Sequence, residues 1–175
     1  NTYELYLKGM YHVNKITPNG FKIGLQYLHE AVEKDPDAPI VHAGIASAYG
    51  LIAHISSPTP DIYERSRQAA LKALELDPNL AEAHLELALT QIYYDRDREG
   101  AEKSYRRALE LNPSEGESYH EYGHYLSFLD RDDEAIEAFK NALKLDPLSA
   151  YHRSCMGMVY IKKGEFERAE SSIKK

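Results

Sequence analysis

The sequence predicts an all-α protein built from repeated helices. Four segments share alanine, an aliphatic residue, an acidic or amide residue and proline: AVEKDPDA, ALELDPNL, ALELNPSE and ALKLDPLS. Small residues recur at fixed distances from each of these prolines, as expected where two helices approach too closely for larger side chains. The 175 residues contain one cysteine, Cys155, which excludes a disulfide framework and a multi-thiolate metal site. Packing between successive repeats must therefore stabilise the fold.

The spacing of small residues and prolines marks the repeat. The four prolines are 42, 35 and 34 residues apart, and an alanine stands five residues before each. Further small residues stand twelve residues before and ten residues after each proline. We predict structural roles for Gly9, Ala31, Pro36, Ala46, Ala73, Pro78, Ala88, Ala108, Pro113, Gly123, Ala135, Ala142, Pro147 and Gly157.

Local signals place the ends of each helix. Each Asp-Pro or Asn-Pro step disfavours helical backbone before the proline and ends the second helix of its repeat. Thr17 and Thr59 are expected N-caps, each followed by a proline, Pro18 or Pro60, at the first helical position. These signals start the second helix of the first two repeats about a turn early. We predict helices over 3–14, 18–34, 40–54, 60–75, 81–93, 98–110, 115–128, 132–144, 149–162 and 166–175.

These positions resemble the tetratricopeptide repeat, a 34-residue pair of antiparallel helices termed A and B. The unit from Ser114 to Pro147 and its flanks fit without a gap. The resemblance implies a right-handed solenoid with helix A on the concave side, made of four full repeats and most of a fifth. We expect one array over 1–175, with repeats at about 1–38, 39–80, 81–115, 116–149 and 150–175.

The resemblance also implies where a ligand would bind, because ligands of this family usually meet five positions of helix A. These positions are mostly aromatic, aliphatic or methionine here, and they lack the lysine and asparagine of the chaperone-tail clamp. Such a groove favours an amphipathic helix or hydrophobic peptide; the alternative is a further helix of the parent protein. The predicted binding residues are Tyr6, Met10, Leu51, Leu85, Leu89, Tyr93, His120, His124, Phe128 and Met158, and Tyr3, Tyr151, Ile161 and Lys162 occupy the same set of positions.

One motif suggests metal chemistry. The segment HEYGH, from His120 to His124, matches HExxH, in which two histidines of one helix bind zinc and the glutamate acts as a base. The motif falls on helix A of the best-fitting repeat without a recognisable distal third ligand, so helix packing is the favoured interpretation and a zinc hydrolase the remote alternative. Cys155 lacks the context of a nucleophile, and His42 and His84 are predicted packing residues. We expect no catalytic residue, no metal and no cofactor.

Charge and hydropathy argue against two kinds of partner. The chain carries 28 acidic and 21 basic residues, a net charge of −7, which disfavours nucleic acid. The uncharged stretch over 38–60 contains histidines, serines and three prolines and is too polar for a bilayer. The charged runs Arg96–Glu99 and Asp130–Glu134 are expected to be solvated A–B turns. We therefore expect no membrane insertion and no binding of nucleic acid by this segment. A cytoplasmic location is expected for it within a larger protein, and membrane anchoring of that protein is the alternative.

The flanking strings narrow the functional hypothesis. ELYLKGMYHVNKITPNG, YYDRDREGAEKSYRRALELNP and ALKLDPLSA resemble bacterial tetratricopeptide arrays that follow a winged-helix, nucleotide-cyclase or serine/threonine-kinase domain. The leading hypothesis is a non-enzymatic module of such a regulator that binds a protein or peptide; the alternative is a small-ligand or peptide-pheromone sensor. The chain ends inside the last helix B, so weak self-association is expected through partly uncovered Met156, Tyr160, Phe166 and Ile173.

Overall fold

The structure, a computed structural model, describes residues 1–56 and 59–174. Within these residues all regular structure is helical, which confirms the predicted fold class. The predicted linker residues Ser57 and Pro58, and Lys175 at the end of the last predicted helix, lie outside the described part. The helices are α1 (Thr2–Val13), α2 (Pro18–Lys34), α3 (Pro39–Ile55), α4 (Pro60–Leu76), α5 (Ala81–Thr90), α6 (Arg98–Leu111), α7 (Gly116–Phe128), α8 (Asp132–Leu145), α9 (Ala150–Lys162) and α10 (Phe166–Ile173).

The chain forms two compact units, Asn1–Leu111 and Asn112–Lys175. The first contains α1 to α6 and the second α7 to α10. Odd-numbered helices are the A helices of the repeats, and each packs against the B helix that follows it. In the first unit α1 also contacts α3, and α3 contacts α5, so these A helices lie side by side. A single array over the whole chain stays a prediction.

The small residues of the repeat lie where helices A and B cross. The seven predicted repeat alanines are fully buried. A Cβ added to Gly9 would lie 2.7 Å from Cγ of Leu28, and one added to Gly123 would lie 2.9 Å from two ring carbons of Phe139. Carbon atoms prefer separations of about 3.5–4.0 Å, so larger side chains cannot enter these crossings without displacing a neighbour. The spacing of small residues therefore predicted the helix contacts correctly.

Four A–B turns have a residue with positive φ at the same position. Ile16, Arg96, Asp130 and Gly164 have φ values of 50, 60, 58 and 77°, and each stands two residues before the first residue of a B helix. These values lie in the left-handed region, which commonly ends a helix. The corresponding position of the second repeat lies outside the described residues.

In the fourth and fifth repeats the left-handed residue belongs to a Schellman motif. The Arg131 N–H donates to the Leu126 carbonyl at 3.0 Å, and the Glu165 N–H donates to the Tyr160 carbonyl at 2.8 Å. Each bond runs back from the residue after the left-handed one to the last turn of helix A. This pattern satisfies carbonyl groups that the end of a helix would otherwise leave without partners.

The two predicted threonine caps behave differently. The Gly20 N–H donates to Oγ1 of Thr17 at 3.0 Å, so Thr17 caps α2 as predicted. Thr59 occupies the same place before Pro60, but its side chain accepts no capping hydrogen bond. Both B helices begin at the proline in the predicted way. The prediction that the Thr59 side chain caps α4 was therefore wrong. The helix begins at Pro60 without a capping hydrogen bond from that side chain.

The third A helix departs from its predicted length. It ends at Thr90 rather than residue 93, and the backbone then widens into a π-helical turn over Gln91–Asp95. The Gln91 carbonyl accepts from the N–H groups of Arg96 and Asp97. The Gln91 side-chain oxygen also accepts the Ser104 hydroxyl at 2.8 Å. These bonds favour the wider turn over another turn of α-helix.

Candidate binding surface and histidine cluster

The predicted ligand positions of the A helices, which we call the A-helix face, are partly open in the first unit. Tyr3 and Tyr93 are more than half exposed. Tyr6 and Met10 pack towards α3, since a Cβ on Gly44 would lie 3.0 Å from the Tyr6 ring and 3.1 Å from the Met10 sulfur. Burial, and then the nearby Glu82 carboxylate, raise the pKa of Tyr6. Leu51 and Leu89 are half-buried.

The most exposed part of the A-helix face is in the second unit. Phe128 on α7 is 65% exposed and Met158 on α9 is 67% exposed. Tyr151 and Ile161, also on α9, are at least half exposed. Soluble proteins rarely expose a cluster of large apolar side chains, and such clusters often mark interaction sites. These four residues are therefore candidates for contact with a partner.

Three residues that were expected to be accessible are buried. Leu85 and His120, two of the predicted binding residues, are both buried, His120 completely, so they do not offer their side chains to a ligand in this structure. Tyr160 was predicted to be partly uncovered at the end of the chain and is also buried. These side chains point into the helix packing, because a repeat position fixes the place of a residue along a helix but not how deeply its neighbours cover it. Met156 is half-buried, whereas Phe166 and Ile173 are exposed as predicted.

The acidic run Asp130–Glu134 is more than a solvated turn. The Lys162 ammonium lies 2.8 Å from Asp130 and 2.9 Å from Asp132, and it donates to the Ser127 carbonyl at 2.7 Å. Lys163 pairs with Asp133 in the same way. Hydrogen bonds from these lysines lower the pKa values of Asp130 and Asp133. The turn of the fourth repeat is therefore bound to α9, which corrects the sequence-based interpretation.

Two predicted packing histidines share one structural role. His42 and His84 are half-buried, and Nε2 of each bonds to the carbonyl of the repeat proline six residues upstream, at 2.7 and 2.9 Å. In the fifth repeat, the guanidinium of Arg153 donates to the carbonyl of the preceding repeat proline, Pro147, at 2.7 Å. Because a carbonyl only accepts, the histidines must carry their proton on Nε2. These contacts hold the start of helix A against the preceding proline.

The three histidines of the second unit form a cluster. Nε2 of His120 lies 3.1 Å from Nε2 of His124, and Nδ1 of His120 lies 3.0 Å from Nδ1 of His152 on α9. The ligand atoms of His120, His124 and Cys155 lie within 4.8 Å of one another. The sequence offers no distal extension of HEYGH as a third ligand, but the fold brings the Cys155 sulfur to that position. Cys155 was missed because it lies on the next A helix, one repeat further along the chain.

The surroundings of this cluster do not favour nucleophilic chemistry. Burial, and then the negative charge of Glu121, raise the pKa of the Cys155 thiol. A nucleophilic cysteine requires the opposite shift. Burial lowers the pKa of His152. The ring of Phe139 packs edge-on against His120 and His124, with centroids 5.6 and 5.3 Å apart.

Comparison with known proteins agrees with this architecture. Residues 116–147 match the tetratricopeptide repeat, and no curated protein sequence matches the chain. Among solved structures, the chain is similar to MamA, with 21% identity over 92% of this chain and 89% of that one and a TM-score of 0.68. It is also similar to a thermophilic TPR protein of Thermus thermophilus, with 15% identity, 98% and 88% coverage and a TM-score of 0.78. YrrB, described as a TPR protein with an unusual peptide-binding site, shows 22% identity, 88% and 75% coverage and a TM-score of 0.60.

At these identities the similarities establish the fold, which is that of tetratricopeptide-repeat proteins. They agree with the repeat resemblance found in the sequence and with its pairs of A and B helices. Among the described helices, none combines the length and the apolar character needed to cross a bilayer.

Proposed function

Because the chain has the tetratricopeptide-repeat fold, we propose that it is a non-enzymatic interaction module that binds an amphipathic helix or hydrophobic peptide on its A-helix face. The observation that carries the proposal is the exposure of Phe128 and Met158 on the two A helices of the second unit. An aromatic and a methionine side chain are well suited to the purpose, since aromatic anchors dominate many interfaces and methionine adapts its shape.

The composition of the face supports an apolar ligand over a charged one. Apart from Lys162 and two glutamates, the predicted ligand positions carry no formal charge. Lys162 is bound to Asp130 and Asp132, so its ammonium is engaged with the turn beside it. A ligand would therefore be held by side-chain anchors rather than by a terminal carboxylate.

The wider context is part of the same proposal. YrrB, whose fold this chain shares, is described as having a peptide-binding site. This supports a peptide as the kind of ligand that this chain binds. The flanking sequence strings support a place within a larger bacterial signalling or transcription regulator in the cytoplasm. Reading the gene upstream of this segment tests that part, because it identifies the neighbouring domain.

The chain contains a matched pair of residues for testing the binding surface. Phe128 on α7 and Phe166 on the B helix α10 are 65 and 67% exposed. We expect a fluorescent Leu/Lys amphipathic model helix to bind the wild type more tightly than a scrambled peptide of equal charge. Phe128→Glu and Met158→Glu should each weaken that binding by about 30-fold, because a central anchor contributes about 2 kcal/mol. Phe166→Glu should bind like the wild type.

The outcomes separate binding from self-association. Sedimentation measures the weak self-association that the exposed Phe166 and Ile173 predict, and Phe166→Glu should reduce it. Circular dichroism verifies that each variant remains helical. If Phe128→Glu and Met158→Glu keep their helicity and bind the amphipathic peptide as the wild type does, the A-helix face of the second unit is not the binding surface.

A further inference from the structure

Four side chains of the types that bind transition metals meet between α7 and α9. His120 and His124 come from α7, and His152 and Cys155 come from α9. The two residues on α7 are four apart, and those on α9 are three apart, so each pair shares one helix face. Two imidazoles and one thiol are a ligand set typical of zinc and of related divalent ions.

The distances suit a single ion. In a tetrahedral zinc site, bonds of about 2.0–2.3 Å place ligand atoms roughly 3.3–3.6 Å from one another. Nε2 of His120 and Nε2 of His124 are 3.1 Å apart, close to that separation. The full set of three ligand atoms, including the Cys155 sulfur, lies within 4.8 Å. Binding of one ion by all three residues requires their ligand atoms to move closer together than 4.8 Å.

His152 is placed to orient His120. Its Nδ1 lies 3.0 Å from Nδ1 of His120, on the side of the ring away from the contact with His124. Metal-bound histidines usually donate their other N–H to a neighbouring acceptor, which fixes the tautomer and the ring orientation. If His120 donates from Nδ1 to Nδ1 of His152, its lone pair lies on Nε2, the atom that faces Nε2 of His124.

The surroundings hold the cluster rigidly and carry negative charge. His120 is fully buried, with the Phe139 ring 5.6 Å and the Tyr151 ring 4.6 Å away between centroids. The carboxylate of Glu121 acts electrostatically on Cys155 and on Tyr151. A nearby negative charge favours a bound cation. Packing on His120 from two rings favours a structural role for the ion over a hydrolytic one.

We propose that His120, His124 and Cys155 form a structural site for a divalent transition metal of the zinc type, with His152 as a positioning residue. On binding, the Cys155 thiol loses its proton to solvent and the sulfur bonds to the ion, while both histidines bind as neutral imidazoles. The ion then links α7 to α9 and stabilises the contact between the fourth and fifth repeats. The metal proposal does not rest on the proposed peptide binding, although His120 and His124 also belong to the A-helix face.

Metal titration of the full chain tests the site directly. After treatment with a chelator and dialysis, the wild type should bind one Zn²⁺ per chain and melt at a higher temperature with Zn²⁺ than without it. With Co²⁺ as the probe, the wild type should show the thiolate-to-cobalt charge-transfer band and the visible bands of a tetrahedral ion. Cys155→Ser and His124→Asn each replace a ligand with a smaller or similar polar side chain. Each should lower Zn²⁺ affinity at least 100-fold and abolish the rise in melting temperature that Zn²⁺ causes.

Two further variants identify the role of His152 and exclude surface binding. His152→Phe removes the acceptor and should lower Zn²⁺ affinity about 10–100-fold while the thiolate band remains. His152→Asn supplies an oxygen acceptor and should restore much of that affinity. The exposed His29→Asn should change nothing. Zn²⁺ binding that is absent, that shows no thiolate band, or that survives both Cys155→Ser and His124→Asn in folded protein would overturn the proposal.

Discussion

The crossing of α7 and α8 at Gly123 allows the sharpest test of the repeat packing. A Cβ added to Gly123 would lie 2.9, 2.9 and 3.0 Å from three ring carbons of Phe139. The Phe139 side chain is fully buried and packs against His120 and His124, so the ring has little room to move. Overpacking of this kind typically costs about 1–3 kcal/mol.

Glycine inside a helix also lowers the stability of the helix relative to alanine. Alanine is favoured over glycine inside a helix by about 0.5–1 kcal/mol. The net effect of Gly123→Ala should therefore be a destabilisation of about 1 kcal/mol. Gly116→Ala is the control, because a Cβ there meets only Cβ of Leu145, at an ordinary 3.9 Å. It should leave stability unchanged or slightly higher.

Urea denaturation followed by far-UV circular dichroism measures both variants. Phe139→Leu should lower stability by itself but cost less in the Gly123→Ala background, because the smaller side chain leaves space for the added methyl group. A double-mutant cycle isolates that coupling. If Gly123→Ala is as stable as the wild type and shows no coupling to Phe139→Leu, close approach does not explain the glycine at this position.

Three other perturbations test the local structure. Thr17→Ala should cost about 0.5–2 kcal/mol because it removes a capping bond, whereas Thr59→Ala should be nearly neutral; thermal melts compare the two. Ile16→Gly should raise the melting temperature, with a gain of about 0.5–1 kcal/mol, because a β-branched residue is strained at positive φ and glycine is not; a lower melting temperature would contradict this explanation. Lys162→Met should lower the melting temperature at neutral pH. The Asp130 carboxyl has a lowered pKa, so its ion pair stabilises the fold above the unfolded pKa and is lost as pH falls through the folded pKa. The difference between variant and wild type should therefore shrink in acid, and a difference independent of pH would refute the role of the ion pair.

The sequence predicted the helices well because their ends depend on local signals. The prolines at 36, 78, 113 and 147 end B helices, and Pro18 and Pro60 begin them, whatever lies elsewhere in the chain. The π-helical turn after Thr90 was not predictable in this way. Its first residue, Gln91, accepts a hydrogen bond from the Ser104 hydroxyl of the next helix, a contact that no local signal predicts.

The candidate sites were predicted less completely, because they depend on which helices become neighbours in space. Repeat positions identified Phe128 and Met158 as surface residues but placed the buried His120 beside them. Cys155 lies beside the HEYGH segment only because α9 is next to α7. The sequence did contain a signal for the position of Cys155, because residues on successive A helices of a repeat array are neighbours. Metal-binding residues on one A helix should therefore be compared with those on the A helix of the next repeat.

The shared conformation of the A–B turns also bears on how such a chain can be altered. In the fourth and fifth repeats the left-handed residues Asp130 and Gly164 are 34 residues apart. They lie in two separate loops that have the same pattern of hydrogen bonds. Two loops that leave helix A and enter helix B in the same way can replace each other. A loop taken from one repeat should therefore fit between the helices of the other, although replacing the fourth-repeat loop also removes the ion pairs of Asp130 and Asp132 with Lys162. Charged or ligand-binding groups could then be added at this edge while the packed interior stays the same.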